Sequence, residues 1–271
     1  MHGEQVVVIA VEIAGLTCRV ECPDRAFTAA LTERWAEFVT RAPADVTLHV
    51  ELLAAPVDEA LAVWTGPFAR FSHRGPELTI EGPGFSGAFD ARTGHGRITQ
   101  PVDPAPLETL LSAIIADHLL NEGGCLLHAA ALVGPEGARV FFGPSGSGKT
   151  TVATLVGEGV ITDEITALRP TTDGWRLSGV PWRGSRLEAD LDGIFRLRKG
   201  SATSFRRLGP GEAARELLGS AFLPRADGAE ITRFLGIAGD LLGAAECWEM
   251  TFAPERAFWD AIPRRALEVR E

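Results

Sequence analysis

At 271 residues, 45% hydrophobic and 23% charged, the chain is long enough to bury one large core or two smaller ones, as a soluble globular protein does. A formal net charge of −10 repels nucleic acid and anionic membrane surfaces, so neither is expected as a partner and any basic site must be local. The four cysteines, Cys18, Cys22, Cys125 and Cys247, form no CxxC pair and read as small apolar core residues of a protein in a reducing cytoplasm.

The amino-terminal stretch MHGEQVVVIAVEIAG has no basic leader and meets Glu12 after a short apolar run, which fits neither a signal peptide nor a membrane span. QVVVIAVEIAG and ADVTLHVELL are β-branched and partly alternating, predicting strands. Between them, Phe27, Leu31, Trp35 and Phe38 recur at helical spacing over Arg25 to Phe38. ELTIEGPG, FSGAFDARTG and HGRITQ each close on glycine and predict a small antiparallel meander. His49, His73 and His95 share no metal-ligand spacing and read as packing or surface residues.

The three prolines of QPVDPAP mark a boundary, giving a small α+β domain over 1–102 and a second domain over 103–271. A helix is predicted from about Leu107 to Leu120, with Leu107, Leu110, Leu111, Ile114, Ile115 and Leu119 on one face and a stop at Gly123-Gly124. CLLHAAALVG and ARVFFG read as two buried strands around the turn PEG. A helix from about Lys149, strands at VIT and TALRP, and helices near Gly211–Leu218, Glu230–Leu242 and Pro254–Ile262 complete the chain.

The second of the two buried strands runs into Gly143, Pro144, Ser145, Gly146, Ser147, Gly148, Lys149 and Thr150, the pattern G-x-x-x-x-G-K-[ST] between a strand and a helix. Glycines there let successive N–H groups converge on phosphate oxygens, and the helix start adds partial positive charge. Lys149 reaches the β- and γ-phosphates, and the Thr150 hydroxyl can ligate Mg²⁺. Lys149 is one of only two lysines in a chain that otherwise uses arginine. A compact ammonium points between phosphates where a broad guanidinium fork does not fit.

Asp163 and Glu164 close the short strand after this helix, where an acid can hold Mg²⁺ or accept a proton from an attacking hydroxyl. A transport ATPase would carry its acid pair about a hundred residues later, and a GTPase needs an N-K-x-D element that a chain with Asn121 as its sole asparagine lacks. His128, fifteen positions before Gly143, reads from its apolar strand as a core residue. If that strand runs parallel beside the one feeding the loop, the imidazole approaches the phosphates or the acid pair. PWRGSR supplies Arg183 and Arg186, and FRLRKG supplies Arg196, Arg198 and Lys199; of these local cations Arg183 is the preferred contact to a phosphate or an acidic peptide.

LHAAALVGPEGARVFFGPSGSGKTTVATLV followed by VITDE resembles the catalytic domain of the histidine-containing phosphocarrier protein (HPr) kinase/phosphorylase family and its smaller bacterial relatives. Looser similarity runs through SGVPWRGSRLEADLDGIFRLRKG, RRLGPGEAARELL and WEMTFAPERAFWDAI, so that the resemblance spans about residues 103 to 262. It implies an α/β fold with a phosphate-loop nucleotide-binding domain of the HPr-kinase carboxy-terminal type. It implies ATP phosphates on Gly143 to Thr151, Mg²⁺ near Thr150 and Asp163, Asp163 as general base on a serine-type hydroxyl, and His128 as an active-site neighbour. The acceptor it implies is a peptide or small protein. A small-metabolite kinase and a non-catalytic, nucleotide-gated peptide-binding protein stand as alternatives, and self-association is left open. The chain departs from the family in an Asp-Glu rather than Asp-Asp pair, in a link from helix to pair about one helical turn shorter, and in lacking a long arginine-rich loop.

Overall fold

The computed structural model describes residues 6–53 and 68–263; Met1 to Gln5, at the start of the first predicted domain, and the last residues of the second lie outside them. The fold is mixed α/β, with two sheets and six helices among the described residues. It divides into two compact units, Met1–His118 with Leu223–Ala226, and Leu119–Phe222 with Asp227–Glu271. The dividing point in the first pass of the chain falls inside the helix that follows the proline-rich stretch. No helix among the described residues is long and apolar enough to cross a membrane.

The first unit carries seven strands: β1 (Val7–Ile13), β2 (Leu16–Cys22), β3 (Val46–Leu52), β4 (Arg70–Arg74), β5 (Glu77–Gly82), β6 (Phe85–Asp90) and β7 (His95–Gln100). They lie in the order β1-β2-β3-β7-β6-β5-β4. β1 and β2 form a hairpin on a two-residue loop in which both Ala14 and Gly15 have positive φ, the backbone twist that such hairpins favour. The predicted meander is present as β5 to β7, all antiparallel, and β4, not expected from the sequence, pairs antiparallel with β5. Helix α1 (Arg25–Arg34) crosses from β2 to β3, which pair in parallel. Asp24 caps it, its carboxylate accepting from the Phe27 N–H at 2.8 Å. Phe27, Leu31, Trp35 and Phe38 are all buried, with the last turn tightened into a 3₁₀ segment, Ala36–Phe38.

Helix α2 (Ala105–Asn121) buries the six apolar residues read from the sequence, and Ala113, Ala116 and Leu120 as well. Its apolar surface is therefore wider than the single face that the leucine and isoleucine spacing marks.

The second unit carries nine strands: β8 (Cys125–Leu127), β9 (Ala129–Val133), β10 (Ala138–Phe142), β11 (Val160–Thr162), β12 (Thr166–Thr171), β13 (Gly174–Ser178), β14 (Glu188–Lys199), β15 (Ser204–Arg207) and β16 (Cys247–Phe252). The long strand β14 joins two sets of partners: its first residues pair with β13, and its last with β10 and β16, both in parallel. Across the second set the order is β11-β9-β10-β14-β16. Helices α3 (Lys149–Val156), α4 (Pro210–Leu218), α5 (Gly228–Ala244) and α6 (Ala257–Ala261) complete the unit. Val152 and Val156 of α3 pack with Phe141, Phe195, Leu197, Met250, Phe252 and Phe258 in one core.

β9 lies beside β10 but antiparallel to it, with Ala129 opposite Phe142. The condition stated for His128, a parallel strand, is not met; because the strand runs the other way, its start rather than its end lies level with the end of β10.

Candidate functional site

One edge of the second sheet collects the chemistry. β10, β11, β14 and β16 all end there, and the antiparallel β9 begins there. Ligands in open α/β sheets bind at this edge because the loops leaving parallel strands diverge and leave a crevice. Here a cleft of about 350 Å³ is lined by His128, Ser145, Gly146, Gly148, Lys149, Thr150, Thr151, Asp163, Glu164 and Lys199.

The glycine-rich loop leaves the end of β10 and enters α3 at Lys149, with Gly143, Gly146 and Gly148 at positive φ. Gly148 has no substitute: its φ is +111°, and a Cβ there would stand 2.8 Å from the Phe252 ring. The loop closes through the Ser147 N–H donating to the Pro144 carbonyl at 3.0 Å. The Ser147 hydroxyl oxygen is buried without a hydrogen-bond partner among the described residues.

Lys149 is 7% exposed, and its ammonium donates to the Gly143 and Pro144 carbonyls at 2.9 and 3.3 Å. Among the described residues no carboxylate pairs with it at hydrogen-bond distance. Burial lowers its pKa from the ordinary lysine value, while the charge of Glu164 acts in the opposite sense. A buried ammonium satisfied by carbonyl oxygens alone, in a cleft it lines, leaves charge with which an anion can complete its bonding.

The acid pair is held from behind by Thr162, which is buried. Its hydroxyl donates to the Arg183 carbonyl at 2.7 Å and accepts from the Glu164 and Ile165 N–H groups at 3.2 Å. One side chain thus ties the turn bearing Asp163 and Glu164 to the loop bearing Arg183. The Arg183 guanidinium pairs with Glu164, Nε to Oε2, at 2.8 Å. Arg183 is consequently a partner of the acid pair and is not among the residues lining the cleft. Asp163 lines it and has no ion pair among the described residues.

His128 occupies the break between β8 and β9. Its N–H leaves the ladder and donates to the Ser220 carbonyl at 2.7 Å, and its exposed imidazole lines the cleft. Partial loss of hydration and the nearby Lys149 charge lower its pKa, with Glu164 opposing. The ring is therefore held toward the neutral form, able to accept a hydrogen bond.

The structure thus brings His128, Ser145, Gly146, Gly148, Lys149, Thr150, Thr151, Asp163 and Glu164 to one place, with Gly143, Pro144 and Ser147 shaping the loop beneath them. It adds Thr162, which motif reading does not single out, and separates Lys199 from the basic run in which the sequence placed it. Thr162 looks in the sequence like any strand threonine. Lys199 reads as one of a basic run, yet Arg196 and Arg198 of that run are paired to Glu249 while Lys199 lines the cleft. The usable signal was its rarity, since it is the other lysine of the chain.

For a metal, no group of three or more His, Cys, Asp or Glu among the described residues makes a cage. Mg²⁺ at phosphates does not need one: it takes one or two protein oxygens and completes its shell with phosphate oxygens and water. Thr150 and Asp163, lining the same cleft, fit that donor set. Comparison with known proteins finds no matching family model and no match among curated proteins.

Proposed function

We propose that the second unit is an ATP-dependent kinase that transfers the γ-phosphoryl group to a hydroxyl, most readily the serine of a peptide or small protein. The observation that carries this is the meeting of a buried, carboxylate-free ammonium (Lys149), a hydroxyl at the helix start (Thr150) and an unpaired carboxylate (Asp163) in one cleft. The resemblance to the HPr kinase/phosphorylase family, carried by Gly143 to Thr151 and by Asp163, supports the same reading.

In this reading the N–H groups of the glycine-rich loop and Lys149 grip the phosphates; Thr150, with Asp163 through a water, would hold Mg²⁺, which would neutralise phosphate charge. Asp163 accepts the hydroxyl proton as the acceptor oxygen bonds to the γ-phosphorus and the bond from that phosphorus to the β–γ bridging oxygen breaks, leaving ADP. Glu164, engaged by Arg183, keeps the turn in place and balances Lys149. Neutral His128 stands at the rim as a hydrogen-bonding neighbour of the reacting groups.

The test is calorimetry with MgATP, followed by incubation with γ-labelled ATP and a cell extract. Binding heat and label in protein or peptide, both lost in Lys149→Ala, are expected. Absence of binding heat overturns the reading. Label in small molecules would make the acceptor a metabolite, and binding without ADP formation in the presence of the extract would make the protein a nucleotide-gated binder.

A further inference from the structure

Of the 26 lysine and arginine residues only Lys149 and Lys199 are lysine, and both line the cleft. Lys149 belongs to the glycine-rich loop. Lys199 comes from a separate element, the end of β14, fifty positions later.

Strand alternation sorts the basic run that contains it. Phe195 and Leu197 face the core shared with Val152 and Val156 of α3, so Lys199 continues that face beyond the core, toward the amino end of α3. Arg196 and Arg198 take the other face. There Arg196 pairs with Glu216 and Glu249 at 2.7 and 2.8 Å, and Arg198 with Glu249 at 3.2 Å. Lys199 is exposed and makes no ion pair among the described residues.

The strand order sets where along a nucleotide that charge acts. Asp163, Glu164 and His128 come from β11 and β9 on one side of β10; Lys199 comes from β14 on the other, with the glycine-rich loop between. A triphosphate laid across the loop with its terminal phosphate at Asp163 presents its inner phosphates to the β14 flank. Resting on the nucleotide reading above, we infer that Lys199 is a second nucleotide-binding lysine, gripping the phosphates nearest the nucleoside. A compact ammonium on a flexible stem suits this position, as it suits that of Lys149.

Calorimetric titration of MgATP and of ADP into the wild type, Lys199→Gln and Arg198→Gln tests this, together with the steady-state kinetics of each. Loss of one charge-assisted phosphate contact weakens binding about tenfold or more. Lys199→Gln is expected to lose that affinity for both ATP and ADP, raising KM with kcat within about threefold of wild type, while Arg198→Gln binds as the wild type does. Unchanged ADP affinity with a fall in kcat would place Lys199 at the terminal phosphate or the acceptor and overturn the inference. A wild type that binds MgATP no better than Lys199→Gln would overturn it too, leaving the nucleotide reading standing. A wild type with no MgATP binding would remove both.

Discussion

Arg183 Nε stands 2.8 Å from Glu164 Oε2, so the two adjacent carboxylates at the end of β11 are not equivalent. Glu164 has a fixed cationic partner on a loop that Thr162 holds in place; Asp163 has none among the described residues and lines the cleft. A carboxylate that must take up a proton during a reaction is best left without a permanent cation, because pairing stabilises its charged form and weakens it as a base. Under the kinase reading proposed above, the pairing divides the roles: Asp163 for proton transfer, Glu164 for order and charge balance.

Asp163→Asn is accordingly expected to retain MgATP binding and to lower kcat about 10²–10⁴-fold, the range of a missing general base. Glu164→Gln removes the Arg183 pair but leaves the base, so its loss in kcat should be much smaller than that of Asp163→Asn. Equal losses in the two variants, measured with the same acceptor, would contradict the division.

What the sequence reveals of this site is its local part. The glycine spacing, the lysine after Gly148 and the strand-to-helix change occupy consecutive residues, and their geometry follows from backbone rules within a few positions. The same holds for α1, whose cap at Asp24 and buried Phe27 and Leu31 are set by spacing. What remained hidden depends on pairing between distant segments. The antiparallel sense of β9, with Ala129 opposite Phe142, reverses which end of the His128 strand meets the loop, and no local pattern in CLLHAAALV encodes that. Lys199 reaches the cleft because β14 pairs in parallel with β10, Phe142 opposite Arg196, across more than fifty residues of chain. Arg183 finds Glu164 only through the contact of its loop with β11.

The lowered pKa of His128 has a consequence for stability. Its causes are partial loss of hydration, then the charge of Lys149, with Glu164 opposing. Between its folded value and the ordinary 6.5, the unfolded chain holds the proton more firmly than the folded one, so this group's contribution to stability rises with pH through that window. The destabilisation is complete below the folded value and absent above 6.5. Lys149→Ala removes one cause, and the His128 titration midpoint, followed by NMR of the ring protons, is expected to move up. An unmoved midpoint would mean that the two side chains do not sense each other.

The core beneath the site contains one charged pair whose energetics can be isolated. Arg139 on β10 and Asp192 on β14 meet at 3.0 Å with side chains only 4% and 6% exposed, and the guanidinium also lies over the Trp259 ring, 4.9 Å from its centroid. Removing one member of such a pair leaves the other charge buried without a partner, at a cost of about 3–5 kcal/mol, whereas replacing both with apolar residues of similar volume is often neutral. Asp192→Ala is therefore expected to lower the urea midpoint of the second unit sharply, and Arg139→Met combined with Asp192→Leu to restore most of it. Because β10 delivers the glycine-rich loop and β14 delivers Lys199, loosening this pair disturbs the register of the two strands that carry cleft residues. Asp192→Ala should then weaken MgATP binding under conditions where the protein is still folded. A single substitution costing less than about 1 kcal/mol, the range of an exposed pair, would show that the carboxylate is not what compensates Arg139.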